Sequence, residues 1–77
     1  MSKIYADRKP LISEVTGWTR IFHSGDVQVF EADNYYDYYK VSSASNKTKY
    51  FFGETSYYDA QRFAVDKSDF SAYTIFN

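Results

Sequence analysis

The sequence predicts an α+β domain: a three- to four-stranded antiparallel meander with one helix, from the C-terminal half of the chain, packed on one face. Three observations carry this prediction. Between Trp18 and Gly53, short runs rich in aromatic and β-branched residues alternate with turn-forming residues at similar, close spacing. After Ser56 the apolar positions switch to a helical period. The chain has 77 residues and no cysteine, so there is room for one domain only, and no disulfide or thiolate metal site can supplement its core.

The elements follow in order. Residues 1–16 are weakly patterned and read either as an extended arm or as a short helix opened by Pro10 and running through Leu11, Ile12 and Val15. Gly17 breaks the chain. Trp18 to His23 and Val27 to Ala32 are strand formers around the turn Ser24-Gly25-Asp26, which makes a hairpin. Asp33-Asn34 opens the next turn, Tyr36 to Ser43 reads as a third strand, and Thr48 to Gly53 as a fourth. Ser56 and Asp59 have the spacing of a capping box at the start of a helix over 56–66, with Tyr57, Ala60, Phe63 and Ala64 on its buried face. Residues 69–77 read as a tail or a last strand.

Composition narrows the function more by exclusion than by motif. Nine Lys and Arg against ten Asp and Glu give a net charge of −1, so the molecule as a whole neither recruits nor repels nucleic acid strongly. No apolar run approaches the ~20 residues of a membrane span, and no signal-peptide stretch opens the chain, so a cytoplasmic protein is expected. Asn46-Lys47-Thr48 matches a glycosylation sequon, but in that context it reads as a turn.

Catalysis is not expected. His23 is the one histidine and sits beside a hairpin turn, where a polar surface role suffices. Glycine occurs only at positions 17, 25 and 53, too few for a phosphate-cradling loop, and no nucleophile elbow or paired-histidine motif is present. Glu31, Asp33 and Asp37 offer oxygen ligands, but their spacing matches no calcium loop. Neither a metal nor a cofactor is expected.

The distinctive feature is the run Asn34-Tyr35-Tyr36-Asp37-Tyr38-Tyr39. Nine tyrosines are more than so small a core can hold with every hydroxyl partnered, so several must face outward. In a strand, Tyr36 and Tyr38 project to one face while Tyr35 and Tyr39 project to the other. Which pair is free depends on the face the helix covers. We take Tyr35 and Tyr39, with Asp37, Glu31, Asp33 and the helix-opening Tyr58, as the candidate partner surface, because rigid rings among carboxylates suit protein recognition. The same rings could instead form cross-strand ladders with a purely structural role.

The alternative is single-stranded or structured nucleic acid, with bases stacked on the sheet and Lys40, Lys47 and Lys49 as the cationic strip. Against it, Glu31, Asp33 and Asp37 lie beside the tyrosines in sequence, where they would repel a phosphate backbone. Self-association into a homodimer through exposed aromatic strands is a further alternative.

The segment Tyr50-Phe51-Phe52-Gly53-Glu54-Thr55-Ser56 to Asp59-Ala60-Gln61-Arg62-Phe63-Ala64, with the hairpin Trp18 to Ala32, resembles small accessory proteins of tailed bacteriophages. In those proteins a last strand runs through a Gly-Glu-Thr/Ser turn into a helix reading Asp-Ala-x-x-Phe/Tyr-Ala. The resemblance covers residues 18–66. It implies a non-enzymatic, stoichiometric inhibitor or modulator of a host protein or nucleoprotein, acting in host takeover or anti-defence within the infected bacterial cytoplasm. It transfers no functional residue.

Overall fold

The computed structural model describes residues 3–44 and 48–65. Four strands, β1 (Trp18–Ser24), β2 (Val27–Ala32), β3 (Tyr38–Ser42) and β4 (Thr48–Phe52), form one antiparallel sheet in the order β1-β2-β3-β4. One helix, α1 (Ser56–Val65), lies across one face. This is the α+β meander expected from the sequence. No described helix is long and apolar enough to cross a membrane.

The β1–β2 hairpin closes over Gly25 and Asp26, with Gly25 at φ 61°, the left-handed value that a tight primed turn needs at its first central residue. Pairing then runs regularly until Ile21, where the register shifts between Arg20 and Phe22. This bulge reverses the alternation of β1. Arg20 pairs with Phe30 on one face, whereas Phe22 pairs with Val29 on the other, although both residues occupy even positions.

The third strand begins two residues later than the sequence suggests. Asp37 has φ 57°, a left-handed conformation that ends any extended run through Tyr35 and Tyr36. Those two residues pair instead with the N-terminal arm. Ile4 donates its N–H to the Asn34 carbonyl (3.2 Å) and its own carbonyl accepts from the Tyr36 N–H (2.9 Å).

Residues 3–16 are an ordered arm with a single 3₁₀ turn at Ile12–Glu14, rather than a helix from Pro10. Asn34 fastens it. Its Oδ1 accepts from the Thr16 N–H (3.1 Å), and its Nδ2 donates to the Glu14 carbonyl (3.0 Å). The Tyr38 hydroxyl donates to the Pro10 carbonyl (2.8 Å), and Lys3 pairs with Glu31 at 2.8 Å.

Helix α1 buries Ser56, Ala60, Phe63 and Ala64 against Val27, Val29, Tyr39 and Val41, with Phe22 and Phe51 at the margin. The alanines let the helix axis come close to the sheet, and Phe63 fills the space between, its ring 5.3 Å edge-on from Phe51. Two sequence expectations are corrected here. Ser56, not Tyr57, completes the buried stripe, and Tyr57 is 52% exposed. The side-chain bonds at the start of the helix differ from those of the expected Ser56–Asp59 box. The Thr55 hydroxyl donates to the Asp59 carboxylate (2.8 Å), while the Ser56 hydroxyl turns back to the Gly53 carbonyl (2.6 Å). Gly53 itself has φ 115°, which the strand-to-helix turn requires and a side chain would strain. Asp66 and the residues 69–77 expected as a tail or last strand lie outside the described residues, as does Lys47.

Candidate functional site

The tyrosine run does not present the surface expected of it. Tyr39 faces the helix and is 6% exposed, so it belongs to the core and offers nothing to a partner. The reason is Val29 and Val41: the helix covers the face they share with Tyr39, and the alternation of β3 assigns Tyr39 to it. Tyr38 is fully buried on the opposite face, beneath the arm. Tyr35 is half-buried beside the arm. The exposed rings of this region are Tyr36 and, stacked on it at 4.4 Å, Tyr5 of the arm. Tyr58 is exposed on α1, as expected.

The carboxylates are also distributed differently. Glu31 faces the helix side, paired with Lys3 and accepting a long hydrogen bond from the Tyr39 hydroxyl (3.4 Å). Asp33 accepts from the Thr19 hydroxyl (2.6 Å). Asp37 sits in the turn before β3. Lys49 pairs with Val41 across the strands and lines a groove of about 470 Å³ between β4 and α1, together with Asp59 and Arg62. Of the two described lysines proposed for a strip, Lys40 lies on the face away from the helix and Lys49 on the face towards it.

Burial pushes the Tyr39 phenol up to about 12, with the charges of Glu31 and Asp37 adding to the effect. The folded value lies above the ordinary 10.0, so the stability linked to the protonated phenol is intact below that ordinary value and is lost as pH climbs towards about 12. Denaturant melts across this window should therefore show falling stability in the native chain and a shallower fall in Tyr39→Phe. Equal alkaline slopes in the two proteins would remove Tyr39 as the cause.

The face away from the helix carries the more informative arrangement. Arg20 pairs with Phe30, Phe30 with Lys40, and Lys40 with Tyr50, so these four side chains form one row across all four strands. The Lys40 ammonium lies 4.9 Å from the ring centres of both Trp18 and Phe30. Lys9, from the arm, stands 5.7 Å over Tyr50. Beside this row, Trp18, Tyr38 and Phe52 pack edge to face, with Trp18 5.4 Å and Phe52 5.8 Å from Tyr38. The strand positions of this face contribute no carboxylate. Glu14 of the arm is close enough to join burial and Tyr50 in raising the Tyr38 phenol above its ordinary value.

Cations alternating with flat rings neutralise an anion and stack a planar group at once. Among the described residues no group of three or more His, Asp or Glu gathers as a metal site.

Sequence reasoning missed Trp18, Arg20 and Phe30 as members of one surface. A signal was present, since the residues of the row are ten apart in the chain. Folding about positions 35 and 45 superimposes Phe30, Lys40 and Tyr50, whereas the Gly25-Asp26 turn alone would set Arg20 opposite Glu31 and only the bulge at Ile21 brings it to Phe30. The pattern is masked by the tyrosine run, which reads as a regular strand from Tyr36 to Ser43, three residues longer than β3. Comparison with known protein families, curated proteins and solved structures finds no match to this chain.

Proposed function

We propose that the chain is a non-enzymatic binding module whose working surface is the sheet face away from the helix, and that it holds single-stranded nucleic acid there. The observation that carries this reading is the row Arg20–Phe30–Lys40–Tyr50, with Lys9 and Trp18 beside it, on strand positions free of carboxylates. Of the three acidic residues beside the tyrosine run, Glu31 lies on the other side of the sheet, Asp33 bonds to Thr19, and Asp37 sits in the turn before β3. A single strand suits the face better than a duplex, because unpaired bases offer their π-faces to rings lying on a sheet.

The test is fluorescence anisotropy with short labelled single strands over a range of salt. Three cations, Arg20, Lys40 and Lys9, imply a log–log salt slope of about −2 for a single strand, at roughly 0.7 per phosphate neutralised. Binding that ignores salt, or that is no weaker for a duplex of the same length, would count against the reading.

A second reading rests on a separate observation. Tyr5 is 72% exposed yet stacked on Tyr36, and Asp37 and the exposed Tyr57 and Tyr58 belong to the turn before β3 and the first turn of α1. Ordered, exposed rings with carboxylates nearby suit a protein partner, in line with the stoichiometric modulation of a host protein that the phage resemblance implies. A nuclease-treated pull-down from bacterial lysate separates the two readings. A protein retained by the native chain and lost with Tyr5→Ala or Tyr36→Ala favours this one.

A further inference from the structure

The two edges of the sheet differ. β1 is broken by the bulge at Ile21, which twists that edge out of line for further pairing. β4 has neither bulge nor proline, and its register with β3 is regular throughout. In an antiparallel pair, successive residues of a strand point their backbone groups alternately towards the neighbour and away from it. Gly53 sets the phase: its N–H donates to the Asp37 carbonyl (3.0 Å), one step beyond the Tyr38–Phe52 pair. By that alternation Phe51 and Lys49 bond to β3, whereas Phe52, Tyr50 and Thr48 turn their N–H and C=O groups to the open edge. Among the described residues nothing pairs with them there.

We infer that this edge takes a second copy of the chain, antiparallel, about a two-fold axis through the Tyr50 pair. In that register all three outward residues are paired. Tyr50 exchanges both bonds with Tyr50 of the second copy, and Thr48 does so with Phe52 in each direction. A shift along the strand leaves Thr48 or Phe52 without a partner in β4. The contact is isologous, and the bulge at the far edge keeps it from propagating, so growth stops at the dimer. On the helix face the same register sets Lys49 opposite Phe51 of the second copy. Beside it, α1 leaves a groove of about 470 Å³ whose lining includes Phe63, Arg62 and the Asp59 carboxylate. The incoming edge therefore brings an ammonium to a groove that holds a carboxylate, with the Phe51 ring alongside its stem. On the other face, the row Arg20–Phe30–Lys40–Tyr50 meets its copy end to end, giving one row across both sheets. The dimer does not depend on the nucleic-acid reading, and either can fail without the other.

A strand of 5 residues makes an interface below the standard size, so association is weak and concentration-dependent. Sedimentation equilibrium of the chain alone, from about 10 µM to about 1 mM, reads the mass. Amide hydrogen exchange at both ends of that range reads the edge. The mass should climb from that of one chain towards that of two. Exchange at Thr48, Tyr50 and Phe52 should slow as the dimer fraction rises, while Lys49 and Phe51 stay equally protected. Thr48→Pro removes an outward N–H and no bond to β3, so it should keep the thermal melt and remain a monomer. A single-chain mass throughout the range would overturn the inference. So would a dimer whose three edge amides exchange equally at both concentrations, because the copies then meet elsewhere, or a folded Thr48→Pro that still dimerises. The exchange measurement is made on the native chain and decides whether or not Thr48→Pro folds.

Discussion

Phe63→Ala is expected to bring the domain to the edge of unfolding. Phe63 is 4% exposed, stands on α1 between two buried alanines, and meets Phe51 edge to face at 5.3 Å. Neither Ala60 nor Ala64 can reach into the space its ring would leave. Large-to-small changes at such sites cost about 3–5 kcal/mol, from lost transfer energy and from the cavity that remains. A chain of 77 residues has a total stability of about 4–12 kcal/mol, so the change removes about a quarter of it or more. In thermal melts followed by circular dichroism, Tm should fall by roughly 12–40 °C. Val65→Ala, on the same helix at 62% exposure, should change stability by no more than about 0.5 kcal/mol. A Phe63→Ala loss below about 1.5 kcal/mol would mean that the sheet closes over the gap, and that the helix contributes less to the core than its packing implies.

Phe30→Ala is expected to have the largest effect on binding. The ring is half-buried in the sheet face and carries the Lys40 ammonium at 4.9 Å, so its removal deletes a stacking platform and loosens the cation above it. Loss of one aromatic platform weakens single-strand binding by about 1–3 kcal/mol. Lys40→Ala should behave differently. Binding weakens for every sequence, and the salt slope becomes shallower by about one phosphate's share, roughly 0.7. Tyr36→Ala, on the surface assigned to the second reading, should leave oligonucleotide binding unchanged. If Tyr36→Ala abolishes that binding and Phe30→Ala does not, the working surface is the tyrosine end of the molecule instead.

How much of this was legible in the sequence differs from element to element. The four strands and the helix are recognisable because alternation and turn residues act locally: Gly25 closes a hairpin, and Ala60, Phe63 and Ala64 mark a helical stripe. The Ser56–Asp59 spacing suggests a capping box, yet the Asp59 carboxylate takes the Thr55 hydroxyl as its side-chain partner. The choice follows from Gly53, whose carbonyl draws the Ser56 hydroxyl away. The candidate site was harder to find. Tyr35 and Tyr39 share a face only if the chain between them is a regular strand, and Asp37 at φ 57° ends that regularity. Phe22 and Trp18 share a face only if β1 has no bulge, and Ile21 supplies one.

By itself, then, the sequence determined the kind and order of the elements, the absence of cysteine staples and the excess of aromatic rings over core space. Each of these depends on composition or on residues within a few positions of one another. Tertiary structure alone decided which rings are free, because that depends on what covers each face of the sheet. The helix takes the face of Val29, Tyr39 and Val41. The arm takes Tyr38 through a hydrogen bond to Pro10, 28 residues away in the chain. Between arm and sheet edge, the register of four strands gathers Arg20, Phe30, Lys40 and Tyr50 into one row. Such placements follow from long-range packing, where the free energy of burying one face against another outweighs local preference.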